Sequence, residues 1–150
     1  AEKQSFVADW KQQVSSKWST PSLTKTPDGK NIELSFRFQT QIGGWMWDHW
    51  EITVAKRVKS FETSWVRDSN NESKLDDGDL TLVGKGKGQK QRASVHEFGH
   101  MLGIGDEYKE TSPHKDDYSS IMNRGETVFP RHRHELRKWA DAQAKKLVTA

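Results

Sequence analysis

His96-Glu97-Phe98-Gly99-His100-Met101-Leu102-Gly103-Ile104-Gly105-Asp106-Glu107-Tyr108 is the stretch on which the reading of this chain turns. Phe98, Met101 and Leu102 supply an apolar side, so the segment reads as a helix over roughly residues 90–102. On such a helix His96 and His100 stand four positions apart and project from one face. Two imidazoles so placed can hold one zinc ion, with Glu97 as a base toward a water held beside it. Gly103 suits a left-handed helix end, after which the chain can double back and offer Asp106 as a third ligand. Zinc takes about four ligands, and a catalytic site keeps one position open. The expected metal set is therefore His96, His100 and Asp106, with Glu97 as general base. A competing reading takes Ser94 and Glu97 as a capping box, which would leave Glu97 facing solvent at a helix start.

Around this segment, Phe6, Trp10, Val14 and Trp18 recur every four residues and predict an amphipathic helix over 4–18. Ile32, Leu34, Phe36 and Phe38 alternate with polar residues and predict a strand. Trp50, Ile52 and Val54 predict a second strand running to about 58, and 61–66 a third. Residues 68–79 read as an acidic, Asn-rich loop, Leu80-Thr81-Leu82 as the centre of a short strand 79–83, and 85–90 as a mobile Gly- and Lys-rich stretch. A polar loop over 105–119 and a tight turn at Ser119–Met122 follow. Leu136, Trp139, Ala140, Ala144 and Leu147 share one face of a closing helix over 132–148. This order predicts an α+β domain spanning residues 1–150, a sheet with its helices on one side.

Composition narrows the function classes. Hydrophobic content is 32% against 30% charged, so the core must lean on the seven Trp and six Phe. The net charge of +3 is spread over both signs without a clustered basic face, so nucleic acid is not an expected partner. There is no cysteine, which restricts any metal site to His and carboxylate ligands. No apolar run approaches the ~20 residues of a membrane span. No signal peptide is visible, and a start at Ala1 fits a processed product or an excised domain. The expected state is a monomer acting on a protein or peptide.

The motif H-E-x-x-H-x-x-G-x-x-D, followed by Ser120-Ile121-Met122, resembles the metzincin class of zinc peptidases. The resemblance covers roughly 90–124. It implies a small, twisted, mostly parallel sheet with an N-terminal, an active-site and a C-terminal helix. It implies one catalytic Zn2+, with Asp106 where most of the class has His, as in the snapalysin type. Met122 would be the methionine of the Met-turn beneath the metal. An Asp ligand makes the centre less positive by one charge, hence a weaker Lewis acid. The resemblance also implies an edge strand that pairs with extended substrate, a role that would fall to Leu80, Thr81 and Leu82. Some members carry a Tyr two residues after the methionine; here that residue is Arg124. Tyr108, Tyr118 and Arg124 are thus the candidates for stabilising an oxyanion. An enzyme exported or delivered outside the producing cell is the implied setting.

Other readings compete. Glu135 could replace Asp106 as third ligand, as a later-helix Glu does in the other large H-E-x-x-H class; Glu126, His114, His132 and His134 are also near in sequence. The loop 68–79 carries oxygen ligands for Ca2+, but not at the spacing of an EF-hand. Trp45, Trp47 and Trp50 could form a binding surface for peptidoglycan or a protein partner, with a non-catalytic metal. Strand packing is the simpler account of them.

Overall fold

A computed structural model describes residues 1–43, 49–56 and 63–148, with side chains through residue 146. Trp45, Trp47 and residues 57–62 lie outside the described residues, and with them the ends of the second and third expected strands. The architecture is α+β, with three helices and three small sheets among the described residues.

Helix α1 (Glu2–Trp18) buries Trp10, Val14 and Trp18, the face expected from their spacing. Trp18 has one polar atom, and its indole N–H donates to the Val95 carbonyl at 3.0 Å, so it enters the core with no unmet donor. That bond ties α1 to helix α2 (Ala93–Met101), which carries the histidines. Phe98 of α2 meets Trp10, Trp18, Phe36 and Phe38 at ring-centroid distances of 6.1, 6.0, 5.2 and 5.6 Å, mostly edge-to-face. Trp10 and Trp18 are therefore core residues and unavailable to a binding surface.

Strands β1 (Thr20–Lys25) and β2 (Asn31–Leu34) form an antiparallel hairpin across a turn with Gly29 at φ 85°. β1 was hidden behind Pro21. The expected strand 32–38 ends early, because the backbone at Phe36 bonds to side chains of α1 and its C-cap Ser19 instead of a ladder. Ser15 Oγ donates to the Phe36 carbonyl at 3.0 Å, and the Phe36 N–H donates to Ser19 Oγ at 3.3 Å.

The second sheet has the order β3 (Glu51–Ala55), β5 (Glu72–Asp76), β4 (Trp65–Arg67). Its centre, β5, lies inside the stretch expected to be an acidic loop. Acids at both ends mask the alternation in which Ser73 and Leu75 are buried, and Ser73 meets its polar need by donating to the Trp65 carbonyl at 3.2 Å.

Strands β6 (Val83–Gly86) and β7 (Gln89–Gln91) form a second hairpin over the stretch expected to be mobile. Lys87 and Gly88, both at positive φ, make the two-residue turn that such a hairpin requires. Leu80, Thr81 and Leu82 are not a strand. They belong to a turn closed by Asp79 N–H to Asp76 carbonyl and Thr81 N–H to Gly78 carbonyl bonds, which use the groups a ladder would need. Nor is the sheet mostly parallel: among the described residues only β3 and β5 pair in parallel. The other three pairs are joined by connections of two to five residues, too short for a parallel crossover.

The chain closes with a 3-10 turn (Pro130–Arg133) and helix α3 (His134–Val148). Ala140 and Ala144 are buried, but Trp139 is 66% exposed, so the buried stripe of α3 is narrower than expected. No helix among the described residues is long and apolar enough to cross a membrane.

Candidate metal centre

α2 starts without a side-chain cap. The Ser94 N–H donates to the Asp79 carbonyl at 3.1 Å and the Arg92 N–H to Glu126 Oε1 at 3.0 Å, so neighbouring chain satisfies its first donors. Ser94 lies within the helix and is buried, so no capping box forms with Glu97. At the other end Gly103 adopts φ 80°. Its N–H bonds the His100 carbonyl at 2.8 Å and the Ile104 N–H bonds the Gly99 carbonyl at 3.0 Å, the paired bonds of a Schellman motif. This is the turn that brings Asp106 back to the helix.

His96 and His100 each bond a carbonyl through Nδ1, at 2.7 Å to Ile121 and 2.7 Å to Ile104. A carbonyl only accepts, so Nδ1 carries the proton and the Nε2 lone pair points the other way. The two Nε2 atoms lie 3.5 and 3.1 Å from Asp106 Oδ1. That oxygen is buried and has no hydrogen-bond partner. Three electron pairs thus converge in a space spanned by contacts within 4.8 Å, an arrangement that repels itself unless a metal ion, or in its absence a proton on His100 Nε2, sits between them. Ligands ~2.1 Å from a tetrahedral ion lie roughly 3.4 Å apart, close to the two separations found. The donor set therefore fits one metal ion. Among the described residues it is the sole such group of three His or carboxylate side chains.

Burial disfavours the Asp106 carboxylate, but the His100, His96 and Tyr108 side chains outweigh it and hold the group well below the usual carboxylate range. Glu97 is buried beside the ligands, and burial pushes its pKa up, against the opposing pull of His96 and His100. Burial and the bond to Asp106 together raise the Tyr108 phenol to about 12.

Met122 lies beneath α2, fully buried, and Gly99 makes room for it: a Cβ there would overlap Met122 Sδ. The turn at 119–122 is held from several sides. The Ile121 N–H donates to Thr127 at 2.9 Å and the Glu107 N–H to Met122 at 2.8 Å. Two residues not foreseen from the sequence complete it. Buried Gln91 donates through Nε2 to the Ile121 carbonyl at 2.8 Å and the Gly125 carbonyl at 2.9 Å. It thereby steadies the same carbonyl that orients His96. Buried Glu107 takes a bidentate pair from Arg131 at 2.8 and 3.0 Å and bonds from Ser120 and His132. Gln91 gives no local signal, and Glu107 was hidden by its neighbour Asp106.

The ligand cluster and Glu97 line an open cleft of about 800 Å³, with Tyr108, Arg124, Thr81, Val83 and Lys85 among its other walls. Tyr118 is not in that lining; its hydroxyl bonds Asp116 at 3.2 Å and Lys87 packs over its ring. Leu80 and Leu82 do not line the cleft either. Glu135 is exposed on α3, paired with Lys138 at 3.2 Å, and is no third ligand. Glu126 pairs with Arg92, His132 with Glu107, and His114 and His134 are at the surface. No family model matches the chain, and neither the curated proteins nor the solved structures contain a match to it.

Proposed function

We propose that this chain is a zinc-dependent endopeptidase of the metzincin type, in a compact α+β form. The observation that carries the reading is the convergence of His96 Nε2, His100 Nε2 and an unpartnered Asp106 Oδ1 beside buried Glu97 at the wall of an open cleft. A zinc ion held by His96, His100 and Asp106 would supply Lewis acidity toward a peptide carbonyl and toward water, whose pKa such a centre lowers toward ~7. Glu97 takes a proton from the attacking water and delivers it to the leaving amine, and its burial suits a carboxyl that must change state near neutral pH. The carbonyls of Ile121 and Ile104 keep both imidazoles in the ligating tautomer throughout. Tyr108 and Arg124 remain the candidates for stabilising the oxyanion, both lining the cleft. An extended substrate would lie along β6, whose Val83 and Lys85 line the cleft, with Thr81 of the preceding turn beside them, in place of the 79–83 strand.

The test is proteolysis of an unstructured protein by the zinc-loaded chain and by its Glu97→Gln variant. Loss of a general base should slow cleavage by about 10²–10⁴-fold while zinc content stays unchanged. Equal cleavage by both would remove Glu97 from the mechanism.

A further inference from the structure

Arg124 stands apart from the other half-buried arginines. Arg92 is paired with Glu126 and Arg131 with Glu107 and Asp117, while Arg133 spends its donors on the carbonyls of Lys17, Trp18 and Ser19. Arg124 makes one bond, from Nη1 to the Lys85 carbonyl at 2.9 Å, and its Nε is buried without a partner. Among the described residues neither Arg124 nor Lys85 has a carboxylate partner, and both line the cleft where β6 ends. The other walls of the cleft carry Asp68, Asp76 and Asp79, and Asp79 accepts from Ser64 and from the Asp76 N–H at 2.7 Å. Arg124 and Lys85, joined through the Lys85 carbonyl, therefore form a local positive patch at the β6 wall.

We propose that Arg124, with Lys85, forms an anion subsite that selects peptides carrying a carboxylate beside the stretch held along β6. This rests on the reading of the cleft as a peptide-binding one. A guanidinium presents a planar fork that matches a carboxylate, and a charge-assisted bond made in a half-buried cleft is stronger than one made at an open surface. The carboxylate is that of an Asp or Glu side chain or of the peptide's own C-terminus.

The zinc-loaded Glu97→Gln chain, which traps peptide without cutting it, is titrated calorimetrically with peptides of one background. One arm compares Glu with Gln at a scanned position in peptides blocked at both ends. The other compares a free with an amidated C-terminus in the Gln peptide. The carboxylate form should bind about tenfold more tightly in one arm, and that arm names the source. Adding Arg124→Gln should bring the ratio to near one, and Arg124→Lys should restore part of it. Equal affinities in both arms, or a preference that survives Arg124→Gln, overturn the proposal. With Glu97 in place, Arg124→Gln should lower kcat/KM more for carboxylate-bearing peptides than for their neutral counterparts. A uniform fall in kcat would instead make Arg124 an oxyanion group and overturn the subsite. If no cleavage is found while the binding preference and its loss persist, the peptidase reading fails and the subsite stands.

Discussion

Gly99→Ala tests how closely the metal helix lies on its floor. Placed mid-helix, the exchange should by itself stabilise α2 by about 1 kcal/mol, since Ala is the better helix former. The structure opposes it. The added methyl would overlap Met122 Sδ and come within 3.0 Å of Met122 Cε and of Trp18 Cζ2. Met122 and Trp18 are both fully buried, so neither can swing into solvent. Overpacking of this kind costs about 1–3 kcal/mol, and contact with two immobile groups places it toward the upper end. The net expectation is a loss of about 1–2 kcal/mol, or a few degrees in Tm for a chain of this size. Met122→Ala alone should cost about 2–5 kcal/mol through the cavity it leaves. Because the methyl added by Gly99→Ala would partly fill that cavity, the double variant should lose about 1 kcal/mol less than the sum of the singles, or better. Thermal or urea unfolding of the four metal-free proteins reads all three numbers. A neutral or stabilising Gly99→Ala, or strict additivity, would refute the packing of Met122 against α2.

Two further outcomes follow from the polar groups behind the site. Gln91→Leu removes the donor to the carbonyls of Ile121 and Gly125 in a buried setting, so urea unfolding should show a loss of about 2–3 kcal/mol, and zinc affinity should fall as His96 loosens. Stability of the metal-free protein should also fall with acid. His132 accepts the Phe129 N–H on Nδ1, and burial holds its pKa below the ordinary 6.5, so below about that pH the unfolded chain takes up a proton that the folded one refuses. Glu107 adds to this below 4.5. Burial raises its pKa, but Arg131, with Ser120 and His132, overcomes that and brings it down to about 2, a difference worth about 3 kcal/mol that disappears as pH falls from 4.5 to 2. His100 offsets the His132 stage, because burial lowers its pKa but its bonds to Asp106 and the Ile104 carbonyl outweigh this and raise it. Tm should therefore fall chiefly between pH 4.5 and 2, and a flat profile there would contradict the buried network.

The parts of the fold legible in the sequence are those set by short-range spacing. Trp10, Val14 and Trp18 of α1, and His96 and His100 of α2, repeat at four residues, and the helix period alone places them. Gly103 announced the turn that returns Asp106 because a left-handed residue after an apolar run has few other uses. β5 was not legible, because a central strand with Glu72 and Asp76 at its ends carries the composition of a loop. β6 and β7 were misread because glycine and lysine mark mobility as often as a tight hairpin. Gln91 and Glu107 work through partners 13–34 residues away, a distance over which no local pattern speaks.

The peptidase reading of the cleft depends on His96, His100 and Asp106 holding one metal ion. Zinc content after dialysis against a weak chelator decides this, measured on the wild type, Asp106→Ala and Glu135→Ala. One zinc per chain is expected for the wild type and for Glu135→Ala, whose exposed carboxylate pairs only with surface groups, and far less for Asp106→Ala. Stoichiometric zinc retained by Asp106→Ala, or a wild type that binds none, would contradict it.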